Sequence, residues 1–245
     1  MGRMSTRVAG AASADTLADQ RRMTAAENYF AWQARWARPY LGRRVLEAGC
    51  GIGNFSAAIG GGGALLAVDH DRRCLAEWRW RHGGRAQWEA AAADLSDDFF
   101  EELRAWGADT CVCLNVLEHV ADDRRALARL AAVIVPGGRI ILLVPAFPAL
   151  FGPIDRALGH HRRYTRAGLA AMAREAALRI RLARYMNLAG FFGWWINARL
   201  LRRRAQSPAQ IAVFNRLAPV LAKLETAAPP PFGLSLFAVL EKDAA

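Results

Sequence analysis

The chain has 245 residues, 53% of them hydrophobic and eight of them tryptophan, which suits one sizeable core and excludes a disordered or low-complexity protein. Its formal charge of +11 is arginine scattered through alanine-rich segments, with Lys223 and Lys242 the only lysines, so a solvated basic surface accounts for it better than a nucleic-acid-binding run does. Cys50, Cys74, Cys111 and Cys113 form neither a Cys-x-x-Cys pair nor a disulfide framework, which fits reduced thiols in a cytoplasmic protein.

Taken in order, residues 1–22 read as a flexible tail or weak helix without the apolar core of a signal peptide. Thr24-Ala25-Ala26-Glu27 matches a capping box and predicts a helix over about 24–38. Tyr29, Trp32 and Trp36 recur there at helical spacing, a stripe that either packs on a sheet or serves as a lid lending Tyr29 to a pocket. From Arg43 strand and helix alternate, with strands near 45–47, 65–69, 86–91, 110–114 and 139–144. Pro136-Gly137-Gly138 reads as the stop of the helix before the fifth strand. A helix over about 166–177, N-capped by Thr165, precedes a strand over 178–185, and the last strand covers 234–240. Between those two strands, residues 187–232 form a helical, aromatic insert containing Phe191-Phe192-Gly193-Trp194-Trp195 and Arg202-Arg203-Arg204, too short in its apolar part to span a bilayer.

The chemistry starts at Glu47-Ala48-Gly49-Cys50-Gly51-Ile52-Gly53, where a short apolar strand runs into a glycine turn and then a helix. Asn54 and Ser56 stand where the dinucleotide fingerprint needs glycine, and no Gly-Lys-Ser/Thr follows, so neither a pyrophosphate turn nor a P-loop fits.

This stretch resembles the first motif of the class I S-adenosylmethionine-dependent methyltransferases, small-molecule type, and further matches follow in order. The resemblance implies a Rossmann-like α/β fold: a doubly wound, mostly parallel seven-stranded sheet with helices on both faces and an antiparallel last strand. It implies S-adenosylmethionine as methyl donor, held by Glu47, Gly49, Cys50, Gly51 and Gly53, with Asp69 and His70 at the second strand end near the ribose. Asp94 and Leu95 look like the pair at the adenine, and Asn115-Val116-Leu117-Glu118-His119 is similar to the segment beneath the methionine part. Glu118-His119 also resembles a step of quinone-biosynthesis O-methyltransferases in which a divalent metal can take part. Asn115 stands where a further acidic ligand would be wanted, so no metal is expected.

Methyl transfer to a hydroxyl or amine needs alignment, exclusion of water and a base. His160 and His161 are the first candidates, followed by His119, which suits a positioning role better, and by Tyr29. The Asn/Asp-Pro-Pro-Tyr/Phe signature of nucleic-acid amine methyltransferases is absent after the fourth strand, which disfavours a nucleic-acid partner. The expected acceptor is a lipophilic or aromatic small molecule bound beneath the insert. Residues 191–204 are a candidate for peripheral membrane contact or a homodimer face. The rival readings are an inactive methyltransferase-like binding protein and an RNA methyltransferase.

Overall fold

The computed structural model describes residues 16–60, 62–203, 205 and 207–244. Residues 1–15 of the expected tail and Arg204 of the arginine cluster therefore lie outside the described residues. The rest of that tail is helical in α1 (Thr16–Met23).

The helix expected from Thr24 begins later, as α2 (Glu27–Ala37), with Ala26 at its N-cap and no side-chain cap. A turn between the two helices, in which Ala26 N donates to Met23 O at 2.8 Å, takes Thr24 away from the helix end. Its hydroxyl lies 3.5 Å from Asn54 Oδ1 instead.

There follow β1 (Arg44–Ala48), α3 (Asn54–Ile59), β2 (Ala64–Asp69), α4 (Arg72–His82), β3 (Trp88–Ala92), β4 (Ala108–Leu114), α5 (Asp123–Val133) and β5 (Ile134–Pro145). After these come α6 (Pro153–Ala157), α7 (Arg166–Glu175), β6 (Leu178–Met186), α8 (Leu188–Trp195), α9 (Pro208–Ala227) and β7 (Ser235–Lys242). Where side chains can cap, they do. Asp71 accepts from Arg73 N at the start of α4, and Thr165 accepts from Gly168 N at the start of α7. At α9 Ser207 and Gln210 close a capping box around Pro208, a box not picked out from the sequence.

The seven strands form one sheet in the order β3-β2-β1-β4-β5-β7-β6. β7 runs antiparallel to both neighbours and the other pairings are parallel. The alternation of strand and helix gives this right-handed doubly wound arrangement, because each crossover helix must return to the sheet face. Rows of residues paired across the sheet alternate between the two faces. Leu46, Cys111, Ile140 and Leu240 line one, while Val112, Ile141 and Val239 line the other with Trp32, Trp78 and Phe237. Cys111 and Cys113 are thus small apolar core residues.

Pro136-Gly137-Gly138 is not a helix stop. α5 ends at Val133, and Ile134 already pairs with Ala108, whereas Arg139 pairs with Thr110. The extra residues bulge out of β5, with Gly137 at φ +73°. The strand order reverses direction between β1 and β4, so the crevice at their carboxyl ends is the ligand-binding position of such sheets.

Candidate active site

At that crevice β1 ends in Glu47 and Ala48, and the chain turns through Gly49 and Gly51, both at positive φ. A side chain at Gly49 would be strained by its φ of +76°, and its Cβ would stand 2.3 Å from Val116 Cγ2. Glycine lets the turn press against the segment after β4. Gly49 N and Cys50 N both donate to Val68 O, at 2.8 and 3.0 Å, which fastens the turn to β2. Asp69 completes the fastening: its Oδ2 accepts from Gly51 N and its Oδ1 from Asp71 N, each at 2.8 Å. Each carboxylate oxygen retains one lone pair for another donor.

Glu47 is buried and accepts the Ser56 hydroxyl, which in turn accepts from Trp78 Nε1 at 2.9 Å. Burial raises its carboxyl to about 8. Asn115, just past β4, has φ 55°, a left-handed conformation that asparagine tolerates better than most residues, and its N–H donates to Leu143 O at 2.7 Å.

A cavity of about 810 Å³ opens from this crevice. Glu47, Gly49, Cys50 and Asn115 form one end of it, and Tyr29 from α2, Trp194 from α8 and Phe214 from α9 wall the other. Tyr29 stacks edge-on to Phe214 at 5.4 Å, and burial raises its phenol above the ordinary value, so it is a neutral donor rather than a base near pH 7. Further along the same helix Trp32 is buried and Trp36 packs edge-on against Phe237 of β7, so the aromatic stripe both packs on the sheet and reaches the cavity.

The sequence candidates separate here. Gly51, Gly53 and Asp69 support the turn behind the cavity wall. His70 is largely exposed beside Asp69. Asp94 is exposed and accepts from Ser96 N at 2.8 Å, and Leu95 is buried. Of the histidines, His119 and His160 line the cavity, while His161 is exposed and does not. The N–H of His161 nevertheless donates to Glu118 O at 2.7 Å, which ties the loop after α6 to the turn after β4. That tie brings the two rings of His119 and His160 to 4.7 Å, edge to face. His119 lines the cavity and is exposed there. Desolvation, followed by the neighbouring histidines, lowers it to about 4, so its ring is neutral.

Beneath His160 lies a carboxylate absent from the sequence candidates. Asp155 is fully buried, accepts from His160 Nδ1 at 3.0 Å and Arg163 Nε at 2.7 Å through Oδ1, and accepts from Gly152 N at 2.9 Å through Oδ2. Burial alone would raise it, but the hydrogen bond from His160 and the Arg163 charge outweigh burial and hold it below the usual carboxylate range. Arg163 also donates to Ala146 O and lies over the Trp194 ring at 4.6 Å, which joins the loop to α8. The available sequence signal was Gly152-Pro153-Ile154-Asp155, an acid at the third position of a short helix opened by proline.

Glu118 is fully buried, and neither of its carboxyl oxygens has a hydrogen-bond partner in another residue among those described. Desolvation raises it to about 8. Ligating atoms of Glu118, His119 and His160 lie within 4.8 Å of one another, a donor set of one carboxylate and two imidazoles that fits a divalent cation.

Comparison with known proteins agrees with this geometry. Residues 46–140 match the methyltransferase domain family. A ubiquinone biosynthesis O-methyltransferase of Thiobacillus denitrificans is 27% identical over 164 residues, 59% of this chain and 69% of that protein. The chain spans less than half the length of other curated relatives that it matches. Among solved structures, the methyltransferase in complex with the Haloferax volcanii Trm112 methyltransferase activator superposes with a TM-score of 0.66 at 16% identity, over 95% of this chain and 100% of that one. An S-adenosylmethionine-dependent methyltransferase from Mesorhizobium loti gives 0.57 at 17% identity, over 86% and 96%. At such identities the structural likeness speaks for the fold, while the sequence match over β1 to β5 speaks for the family. Residues 46–140 thus carry a methyltransferase domain, and the sheet around them has the Rossmann-like fold of S-adenosylmethionine-dependent methyltransferases.

Proposed function

We propose that the protein methylates a small lipophilic acceptor by direct displacement at the methyl group of S-adenosylmethionine, with His160 as the base. The observation that carries this reading is a cavity whose lining includes the glycine turn, the apolar walls and His160 together. The residues fit the donor: the side-chain-free turn leaves backbone exposed at Gly49, and Asp69 fixes that turn from behind through Gly51 N. When bound, the donor supplies an electrophilic methyl carbon on a sulfonium.

The chain's own groups supply the rest. Because the Asp155 carboxylate only accepts, the His160 proton sits on Nδ1, and Nε2 is left with its lone pair to take a proton from an acceptor hydroxyl. Asp155 positions the ring, and the imidazolium so formed is stabilised by the carboxylate. Tyr29, Trp194 and Phe214 exclude water from the acceptor, so that alignment rather than strong base catalysis provides most of the acceleration. The acceptor class is supported by those apolar walls and by the likeness to a protein named for ubiquinone biosynthesis.

Calorimetric titration with S-adenosylmethionine tests the donor, and methyl transfer from labelled donor to a panel of phenols tests the acceptor. A chain that binds no donor is the inactive binding protein instead. EDTA separates base from metal catalysis: turnover lost with EDTA and restored by Mg²⁺ would assign activation of the acceptor oxygen to a cation on Glu118, His119 and His160.

A further inference from the structure

Nine of the eleven large hydrophobic side chains that stand exposed among the described residues fall between positions 192 and 224. On α9 they recur at spacings of four, three and four: Val213, Leu217, Val220 and Leu224 are 52 to 61% exposed and form one stripe along the helix. The opposite face of α9 is spent on the protein, with Ala218, Ala222 and Glu225 buried. The end of α8 and the π-helical segment that continues it, tied to α9 by the hydrogen bond from Gln210 Nε2 to Asn197 Oδ1 at 3.1 Å, add Trp195, 49% exposed, and Leu200, 70% exposed. A patch of this kind on a folded chain marks a surface that something covers.

Charge says what covers it. Residues 187–232 contain Arg199, Arg202, Arg203, Arg204, Arg216 and Lys223 against one acid, Glu225. That acid faces inward, accepting from Asn187 N and Leu188 N at 2.8 Å each, and so offers nothing to a cationic partner. Arg202, Arg203, Arg216 and Lys223 are exposed. A second copy docked through the same patch would set these cations against their own equivalents on a chain of net charge +11, which opposes a two-fold pairing. A surface that is anionic and apolar beneath satisfies both halves of the patch. No helix among the described residues is long and apolar enough to cross a membrane, so such a contact lies in the interface plane.

The cavity opens in the same place. Val213 and Leu217 belong both to the exposed stripe and to the cavity wall, with Gly193 of α8 on the wall as well. We infer that the α8 and α9 layer lies on an anionic bilayer, with its apolar stripe in the headgroup region and its arginines on the lipid phosphates, and that the acceptor passes from the bilayer between the two helices into the cavity. The passage of the acceptor rests on the function proposed above; the docking does not.

The test is co-sedimentation of the full chain with phosphatidylcholine vesicles, with and without phosphatidylglycerol, while donor binding is titrated on the same sample. Binding to the anionic vesicles alone, weakened by salt and accompanied by a blue shift of tryptophan emission, is expected. The double variant Val220→Glu/Leu224→Glu, whose side chains do not line the cavity, should weaken vesicle binding at least about tenfold and leave donor affinity unchanged. Absence of vesicle binding at low salt overturns the docking, as does a concentration-dependent dimer that the double variant abolishes. Loss of donor binding with vesicle binding intact overturns the proposed function and leaves the docking standing.

Discussion

Asp155 Oδ1 stands 3.0 Å from His160 Nδ1, and the same oxygen holds Arg163 Nε at 2.7 Å, so one buried carboxylate sets both the tautomer of the cavity histidine and the anchor of the α8 tryptophan. His160→Ala should lower kcat by about 100-fold or more, the usual worth of a positioned general base. Donor affinity should stay the same, and added imidazole should restore part of the rate. Asp155→Asn should also lower kcat, and it should cost stability because Arg163 is left buried without its counter-charge, an effect of about 3–5 kcal/mol. Unchanged turnover in His160→Ala would remove the histidine from the mechanism.

Asp69 holds the glycine turn through Gly51 N before it holds any ligand. Asp69→Ala should raise the donor dissociation constant at least about tenfold, the loss of one or more charged hydrogen bonds. Asp69→Asn, which still presents an oxygen to Gly51 N, should lie between the two. Calorimetry on the three proteins measures this, and identical affinities would limit Asp69 to a structural role.

The buried Glu118 gives a pH dependence of defined sign. Its carboxyl is raised from the ordinary 4.5 to about 8, so the stability it contributes is complete below about 4.5 and is lost as pH rises to about 8. Glu118→Gln removes that loss. The variant should therefore gain stability over the wild type progressively between those pH values, by up to a few kcal/mol at the alkaline end. Thermal melts across that range should show the gap widening with pH; a constant gap would mean that Glu118 ionises freely.

Gly49 tolerates no side chain for two separable reasons, its φ of +76° and the 2.3 Å approach to Val116 Cγ2. Gly49→Ala should lower both melting temperature and donor affinity. Adding Val116→Ala relieves the contact and should recover part of the loss, leaving about 1–2 kcal/mol for the left-handed backbone. Complete recovery would show that contact alone excludes alanine.

The sheet and its glycine turn were legible because they rest on local pattern. Apolar runs such as Leu65 to Val68 occupy parallel strands, buried on both faces, and the turn after Glu47 falls at the end of β1. Thr24 misled because its hydroxyl, three residues ahead of the first residue of α2, is taken by a tertiary partner, here Asn54. Pro136-Gly137-Gly138 misled because pairing with β4, which begins at Ile134, overrides the turn propensity of glycine.

The order of residues by itself determined the α/β sheet and the glycine turn at the end of β1, since both follow from short-range spacing, and it carried the resemblance to the methyltransferases. The tertiary structure decided which histidine faces the cavity. His160 and His161 are adjacent and chemically alike, and only the packing of the loop over Asp155, Arg163 and Trp194 turns one inward and leaves the other outside. The burial of Glu118 with no partner for its carboxyl in another of the described residues, and the meeting of the cavity mouth with the exposed stripe of α9, were likewise decided there, because both depend on segments far apart in the chain.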